Sequence, residues 1–130
     1  MTWRFFPARI LRTMTKASPP VEHIVVLSTC PNEVSARRIA EALVGTGLAA
    51  CVNIVPSVTS VYRWQGRLES ATEYLLVIKT RAERYAALEA AIRSQHPYEL
   101  PEVVAVPMVA ASAPYLAWID SLTCASSSSC

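Results

Sequence analysis

Apolar and polar positions divide this chain into short elements. Residues 24–27 read IVVL, a continuous apolar run suited to a strand covered on both faces. Pro31-Asn32 punctuates it. Asn32 is placed to N-cap a helix with Glu33 in the first turn. Ala36, Ala40 and Leu43 follow at i, i+4 and i+7, with Ile39 beside them, so one stripe of that helix is apolar. Gly45 and Gly47 supply its end. LAACVNIV, at 48–55, predicts the next strand, and Pro56 marks a bulge or an edge position in it. SVTSVYRWQG resumes the strand with Tyr62 and Trp64 at strand spacing. Gln65-Gly66 is a turn and TEYLLVIK, at 72–79, runs back, so residues 48–79 read as one long hairpin. Thr80-Arg81-Ala82-Glu83 has the form of a capping box. The helix it would open carries Tyr85, Leu88 and Ile92 and must stop before Pro97. EVVAVPMV, at 102–109, predicts a fourth strand. Pro114 opens a short last helix with Tyr115, Leu116, Trp118, Ile119 and Leu122.

The order is β-α-β-β-α-β with a C-terminal helix, an α+β chain on the split βαβ or ferredoxin-like plan. Two such helices cover one face of a four-stranded sheet. The strands holding IVVL and LLVI are apolar on both faces, and the long hairpin reaches beyond a small domain. Both features predict a homo-oligomer with packed sheets.

The chain has 130 residues, of which 52% are hydrophobic, enough for one domain with a single core. No apolar run approaches the roughly 18–20 residues needed to span a bilayer, so no membrane partner is expected. The net charge of +2 hides a division. Residues 1–21 hold Arg4, Arg9, Arg12 and Lys16 and no acid; without these four of the twelve bases, eight remain against ten acids, a net −2 for residues 22–130. A mildly acidic body without a Lys/Arg stripe argues against nucleic acid. The expected organisation is a basic extension outside the fold at 1–21, a domain at 22–123 and a low-complexity tail at 124–130. The leading segment is either an organelle transit segment or an over-long start with Met14 as initiator; its shortness and scarcity of serine favour the second, and with it the cytoplasm. Cys30, Cys51, Cys124 and Cys130 form no CxxC pair and no secreted disulfide framework.

LAACVNIVPSVTSVYRWQGRLE, then VIKT, then HPYELPEV together resemble the CutA family of divalent-cation-tolerance proteins, over roughly residues 23–122, nearly all of the folded chain. The resemblance implies a ferredoxin-like fold similar to the nitrogen-regulatory PII signalling proteins, and a homotrimer whose hairpins reach onto neighbouring subunits. It implies a part in tolerance of copper and other divalent metals, with no established catalytic reaction and no obligatory cofactor. A link of animal members to acetylcholinesterase anchoring adds a scaffold role as an alternative. The copper ligands proposed within the family fall here on Ser28, Gln95 and Glu102, so only the carboxylate is retained. His96 follows one position later. Cys30 shares the Ser28 face if the first strand continues that far.

QHPYELPEV, at 95–103, concentrates His96, Tyr98, Glu99 and Glu102 around two prolines. Imidazole suits Cu(II) and thiolate suits Cu(I), so Glu102, His96 and Cys30 are the candidate metal ligands. The same segment also reads as a rigid helix-to-strand connection, with His96 bonded to helix-end carbonyls and Tyr98 packed with its hydroxyl satisfied. Tyr62, Arg63 and Trp64 near the hairpin tip, with Lys79 and Tyr98, are candidates for a small anion or nucleotide at a subunit boundary. Trimer packing is the competing account of that cluster. No P-loop, GxGxxG or GxSxG occurs, and an enzyme is not expected.

Overall fold

The computed structural model describes residues 20–124. The basic leading segment up to residue 19 and the serine tail from residue 125 lie outside the described residues. The elements are β1 (His23–Cys30), α1 (Glu33–Gly45), β2 (Cys51–Trp64), β3 (Arg67–Arg81), a 3-10 turn (Ala82–Arg84), α2 (Tyr85–Gln95), β4 (Val104–Pro107) and α3 (Ala113–Thr123). The four strands form one antiparallel sheet in the order β2-β3-β1-β4, the arrangement of a split βαβ fold.

Register sorts the side chains onto two faces, because directly paired residues share a face and successive residues alternate. On one face Ile24, Val26 and Cys30 of β1 and Leu76 and Ile78 of β3 meet Ala36, Ile39 and Leu43 of α1 and Leu88 and Ile92 of α2. These side chains are buried, and each of the larger ones contributes about 1.5–3 kcal/mol by leaving water. The helix α1 begins as its sequence requires: the Asn32 side chain accepts from the Ser35 amide at 2.8 Å, with Glu33 in the first turn. It ends at Thr46, whose hydroxyl donates to the Ala42 carbonyl, and the chain reverses at Gly47 with φ +75°. A Cβ at Gly47 would stand 3.3 Å from the Leu122 carbonyl, so α3 is seated against this loop.

The second face carries Val25 and Leu27 of β1, Leu75 and Val77 of β3, and Val104 and Val106 of β4. Neither α1 nor α2 covers it. Among the described elements only α3 lies there, at the end where β1 starts and β3 stops. Asp120 of α3 fastens it: one carboxylate oxygen takes His23 Nε2 at 2.8 Å and Arg81 Nη1 at 2.6 Å. Val104 and Val106 remain exposed and the other four are half-buried.

The hairpin is as long as expected. Its turn at Gln65 (φ 50°) and Gly66 (φ 78°) has the two positive φ values of a type I′ connection. Pro56 marks both features read from it: β2 is an edge strand, and the register shifts between Val55 and Val58 with Ser57 at φ 62°.

Two expectations are corrected. Thr80 does not open a helix. It remains in β3, fully buried, and its hydroxyl donates to the Leu48 carbonyl at 2.7 Å. A 3-10 turn intervenes, α2 starts at Tyr85 without a side-chain cap, and Glu83 takes Arg81 instead. A buried carbonyl outbids a helix end open to water for the same hydroxyl. The fourth strand is also shorter, only four residues, because it pairs with β1 solely from Leu27 to Ile24.

Thr80→Val is therefore expected to cost about 1–3 kcal/mol in denaturant unfolding by leaving the Leu48 carbonyl unpaired, while Glu83→Ala changes stability by less than about 0.5 kcal/mol. Equal losses would restore the capping box. A second prediction concerns α3. Burial raises the Asp120 pKa, but the bonds from His23 and Arg81 outweigh it and hold the carboxyl below its ordinary value. Its stabilisation is thus present above the unfolded value of about 3.9 and lost as pH falls through the folded one. Asp120→Asn is expected to cost about 1 kcal/mol at neutral pH for this partly exposed group, with the deficit closing as pH falls below the ordinary carboxylate range.

Candidate functional site

Beyond the bulge, Val58 pairs with Glu73, Tyr62 with Glu69 and Trp64 with Arg67. This register carries Tyr62, Trp64 and Glu73 on the second face. There they meet the connection between α2 and β4 across a cleft of about 950 Å³. Tyr62, Trp64, Glu73, Tyr98, Glu99 and Glu102 line it, and among the described residues no lysine, arginine or histidine does.

The connection is held in place from behind by His96. Helix α2 ends there in extended backbone, as a residue before proline requires. His96 is buried, with Nε2 2.6 Å from the Thr29 carbonyl and Nδ1 accepting the Tyr98 amide at 3.0 Å. A carbonyl on one side and an N–H on the other select the tautomer with the proton on Nε2. Both ring nitrogens are thereby engaged, and the ring tilts against Tyr98 with centroids 4.8 Å apart. The helix-end carbonyl foreseen for His96 is replaced by the carbonyl of Thr29.

Tyr98 donates its hydroxyl to Glu73 Oε2 at 2.6 Å. Burial, and then that bond to a carboxylate, push the Tyr98 phenol well above its usual range. Glu73 is 6% exposed, although it lies in the sheet and lines the cleft. The sequence reading gave Glu73 no role. Its signal was an acid within TEYLLVIK, two residues from Leu75 and so on the same strand face. His23 and Asp120 were missed likewise, being 97 residues apart.

The other candidates lie apart from this cleft. Arg63 is exposed and pairs with Leu68 on the opposite face of the hairpin from Tyr62 and Trp64. Lys79 is six residues along β3 from Glu73, about 20 Å at strand rise. Its ammonium bonds Asn53 and stands 3.9 Å from Cys51 Sγ. The first strand does continue to Cys30, so Cys30 and Ser28 share a face, the one under the helices. Burial raises the Cys30 thiol pKa against a hydrogen bond with Ser35 that lowers it, so thiolate is disfavoured. Ser28 is fully buried with its hydroxyl unpaired. Cys30 and Cys51 are free, and Cys124 is disulfide-bonded.

As copper donors these groups fit poorly. Serine replaces the family's thiol, His96 has no free lone pair, Cys30 resists ionisation, and among the described residues no three His, Cys, Asp or Glu side chains converge on a point. Glu102, exposed on the cleft, is the one family ligand left available.

The architecture defines a class: an α+β protein on the ferredoxin-like plan, with an extended hairpin and a carboxylate-lined cleft where that hairpin meets the α2–β4 connection. Within it, the chain belongs to the CutA1 divalent ion tolerance protein family, which matches residues 24–122. A CutA homolog of Xenopus laevis is 49% identical over 94 residues, 72% of this chain and 62% of that one, so the match spans less than two thirds of that relative. A chloroplastic CutA of Arabidopsis thaliana is 42% identical over 110 residues, 85% of this chain and 60% of its own. The divalent cation tolerance protein of Thermus thermophilus superposes with a TM-score of 0.76 at 46% identity, covering 78% of this chain and 98% of that one. Among the described residues no helix is long and apolar enough to cross a membrane.

A tyrosinate titration by ultraviolet absorbance should show a step far above the others that Tyr98→Phe removes and Glu73→Gln moves down. The shift also has a sign for stability. The unfolded phenol ionises near pH 10 while the folded one stays protonated, so stability falls as pH rises past about 10. Tyr98→Phe should flatten that decline.

Proposed function

We propose that this protein acts in the response to divalent cations as a non-catalytic homotrimer, with Glu102 and Glu99 as the outermost carboxylates a metal such as Cu(II) would meet. The observation that carries this reading is a cleft with three carboxylates and, among the described residues, no base, on the fold of a divalent-ion-tolerance family. Carboxylate oxygen alone, without His96 or Cys30, makes a site of low selectivity and modest affinity. The trimer reading is supported by the second sheet face, where Val25, Leu27, Leu75, Val77, Val104 and Val106 are left without cover by α1 and α2. An apolar sheet face of that extent is stabilised by packing on a copy of itself. The cytoplasm is the compartment this reading adopts; import into an organelle is the alternative, supported by the basic leading segment and the chloroplastic plant relative.

A small anion or nucleotide sensor is less well supported. Arg63 and Lys79 lie away from the cleft, and three carboxylates repel an anion there. The scaffold alternative gains no specific observation.

Equilibrium titration of the purified protein with Cu(II), with Zn(II) as control, tests the metal reading. Saturable binding at a fixed number per chain is expected. Glu102→Ala should weaken it by on the order of tenfold or more, since even partners beyond the ligands cost that much. Binding that is non-stoichiometric and unchanged in Glu102→Ala would remove metal from this cleft. Sedimentation of the wild type should give three chains per particle.

A further inference from the structure

The four cysteines of the chain, at 30, 51, 124 and 130, fall into two kinds. Cys30 and Cys51 are free, whereas Cys124 is disulfide-bonded. Cys130 is the cysteine left to pair with it, across Ala125 and four serines.

Cys30 and Cys51 cannot act as a thiol pair. Cys30 is fully buried on the face under α1 and α2, and burial pushes its thiol up. Cys51 lies opposite Lys79, which lies opposite Val25, so it belongs to the other face of the sheet. The sheet itself stands between the two sulfurs.

Cys124 is placed differently. It is half-buried and directly follows α3 (Ala113–Thr123). Thr123, the last residue of that helix, is fully buried with its hydroxyl on the Ile119 carbonyl, which fixes the point where the tail leaves the fold. Cys124 and Cys130 both lie past residue 122, where the match to the family ends. A bond between them closes a ring of seven residues and ties no strand or helix to another. The shorter such a ring, the less chain entropy it removes from the unfolded state, so the fold does not depend on this bond.

Opening the bond leaves two thiols that are able to meet. Thiolate is the ligand that selects Cu(I), and that ion is satisfied by two of them. Zinc requires four donors, and the residues between the cysteines, one alanine and four serines, supply neither imidazole nor carboxylate.

We propose that Cys124 and Cys130 form a reversible thiol pair that, when reduced, holds one Cu(I) ion between two thiolates and, when oxidised to the disulfide, has no ligand for it. A small-molecule thiol of the glutathione class opens the disulfide. Its thiolate attacks one sulfur, a second displaces the resulting mixed disulfide, and two protein thiols and one small-molecule disulfide result. Binding then forms two S–Cu bonds, releases both thiol protons and leaves the oxidation state of copper unchanged. The site goes beyond the carboxylate reading of the cleft and does not rest on it.

The full-length protein tests this in two measurements. Alkylation after denaturation should label two cysteines per chain in the oxidised protein and all four after treatment with glutathione. Labelling of all four without glutathione, or a disulfide-linked dimer on a non-reducing gel, overturns the pairing. Cu(I) titration against a coloured chelator should then find one ion per chain held by the reduced protein and none by the oxidised one. Cys130→Ser, at the last residue, leaves the fold untouched and should weaken Cu(I) by about a hundredfold or more, since even partners beyond the ligands cost up to that much. Cys51→Ser and Glu102→Ala should leave Cu(I) binding unchanged, whereas Glu102→Ala acts on Cu(II), so the two readings fail separately. Equal Cu(I) binding by reduced and oxidised protein, or binding that survives Cys130→Ser, overturns the proposal.

Discussion

The pairing of β1 with β3 governs the molecule. Eight residue pairs run from His23 opposite Arg81 to Cys30 opposite Tyr74. With them fixed, Ile24, Val26, Leu76 and Ile78 can only face α1 and α2, and Val25, Leu27, Leu75 and Val77 can only face away. A slip of one residue would turn the side chains of one strand over relative to the other, and the helices could then cover the inner set of only one of them. Everything else is attached to this ladder: β4 extends it on one side, the hairpin on the other, and α3 is fastened to its end by Asp120.

The same ladder places the charge at the site. Glu73 follows the hairpin bulge and precedes Leu75 on the outward face, where the sheet gives way to the α2–β4 connection. His96 holds that connection to the Thr29 carbonyl, which lies in the next strand. Tyr98 is thereby delivered to Glu73. The histidine acts as a rivet, the tyrosine as the contact it sets, and the carboxylate as the group that lines the cleft. The residue types that made QHPYELPEV look like a ligand cluster are divided between structure and surface.

Much of this was legible in the order of residues. Strand and helix periods gave all seven main elements and the split βαβ plan, and Pro56 foretold both the bulge and the edge. The motifs from LAAC to HPYELPEV gave the family. What stayed hidden depended on partners distant in the chain. Thr80 has a sound helix-capping neighbourhood, and only the presence of Leu48 beside it turns its hydroxyl elsewhere. His96 reads as a ligand until the Thr29 carbonyl is seen against it. Glu73 reads as an ordinary exposed strand acid, because no local pattern reports that the hairpin and residues 97–102 close over it.

The bulge reconciles two demands that the chain makes independently. The two-residue turn sets the pairing of the outer hairpin, and the β1–β3–β2 base sets the inner one; the two differ in phase by one position, and Pro56-Ser57 carries the surplus. A loss of one residue from the outer part of β2 is for this reason absorbed at the bulge. Loss of a single residue at Ser57 leaves an unbroken ladder with Tyr62 and Trp64 still toward the cleft and Val55 still beside Leu75. A loss between residues 58 and 61 consumes the same surplus, because the turn still holds Tyr62 opposite Glu69 and Trp64 opposite Arg67. The bulge is thus a single residue of slack between tip and base, and a second loss would leave the two ends of the hairpin out of phase.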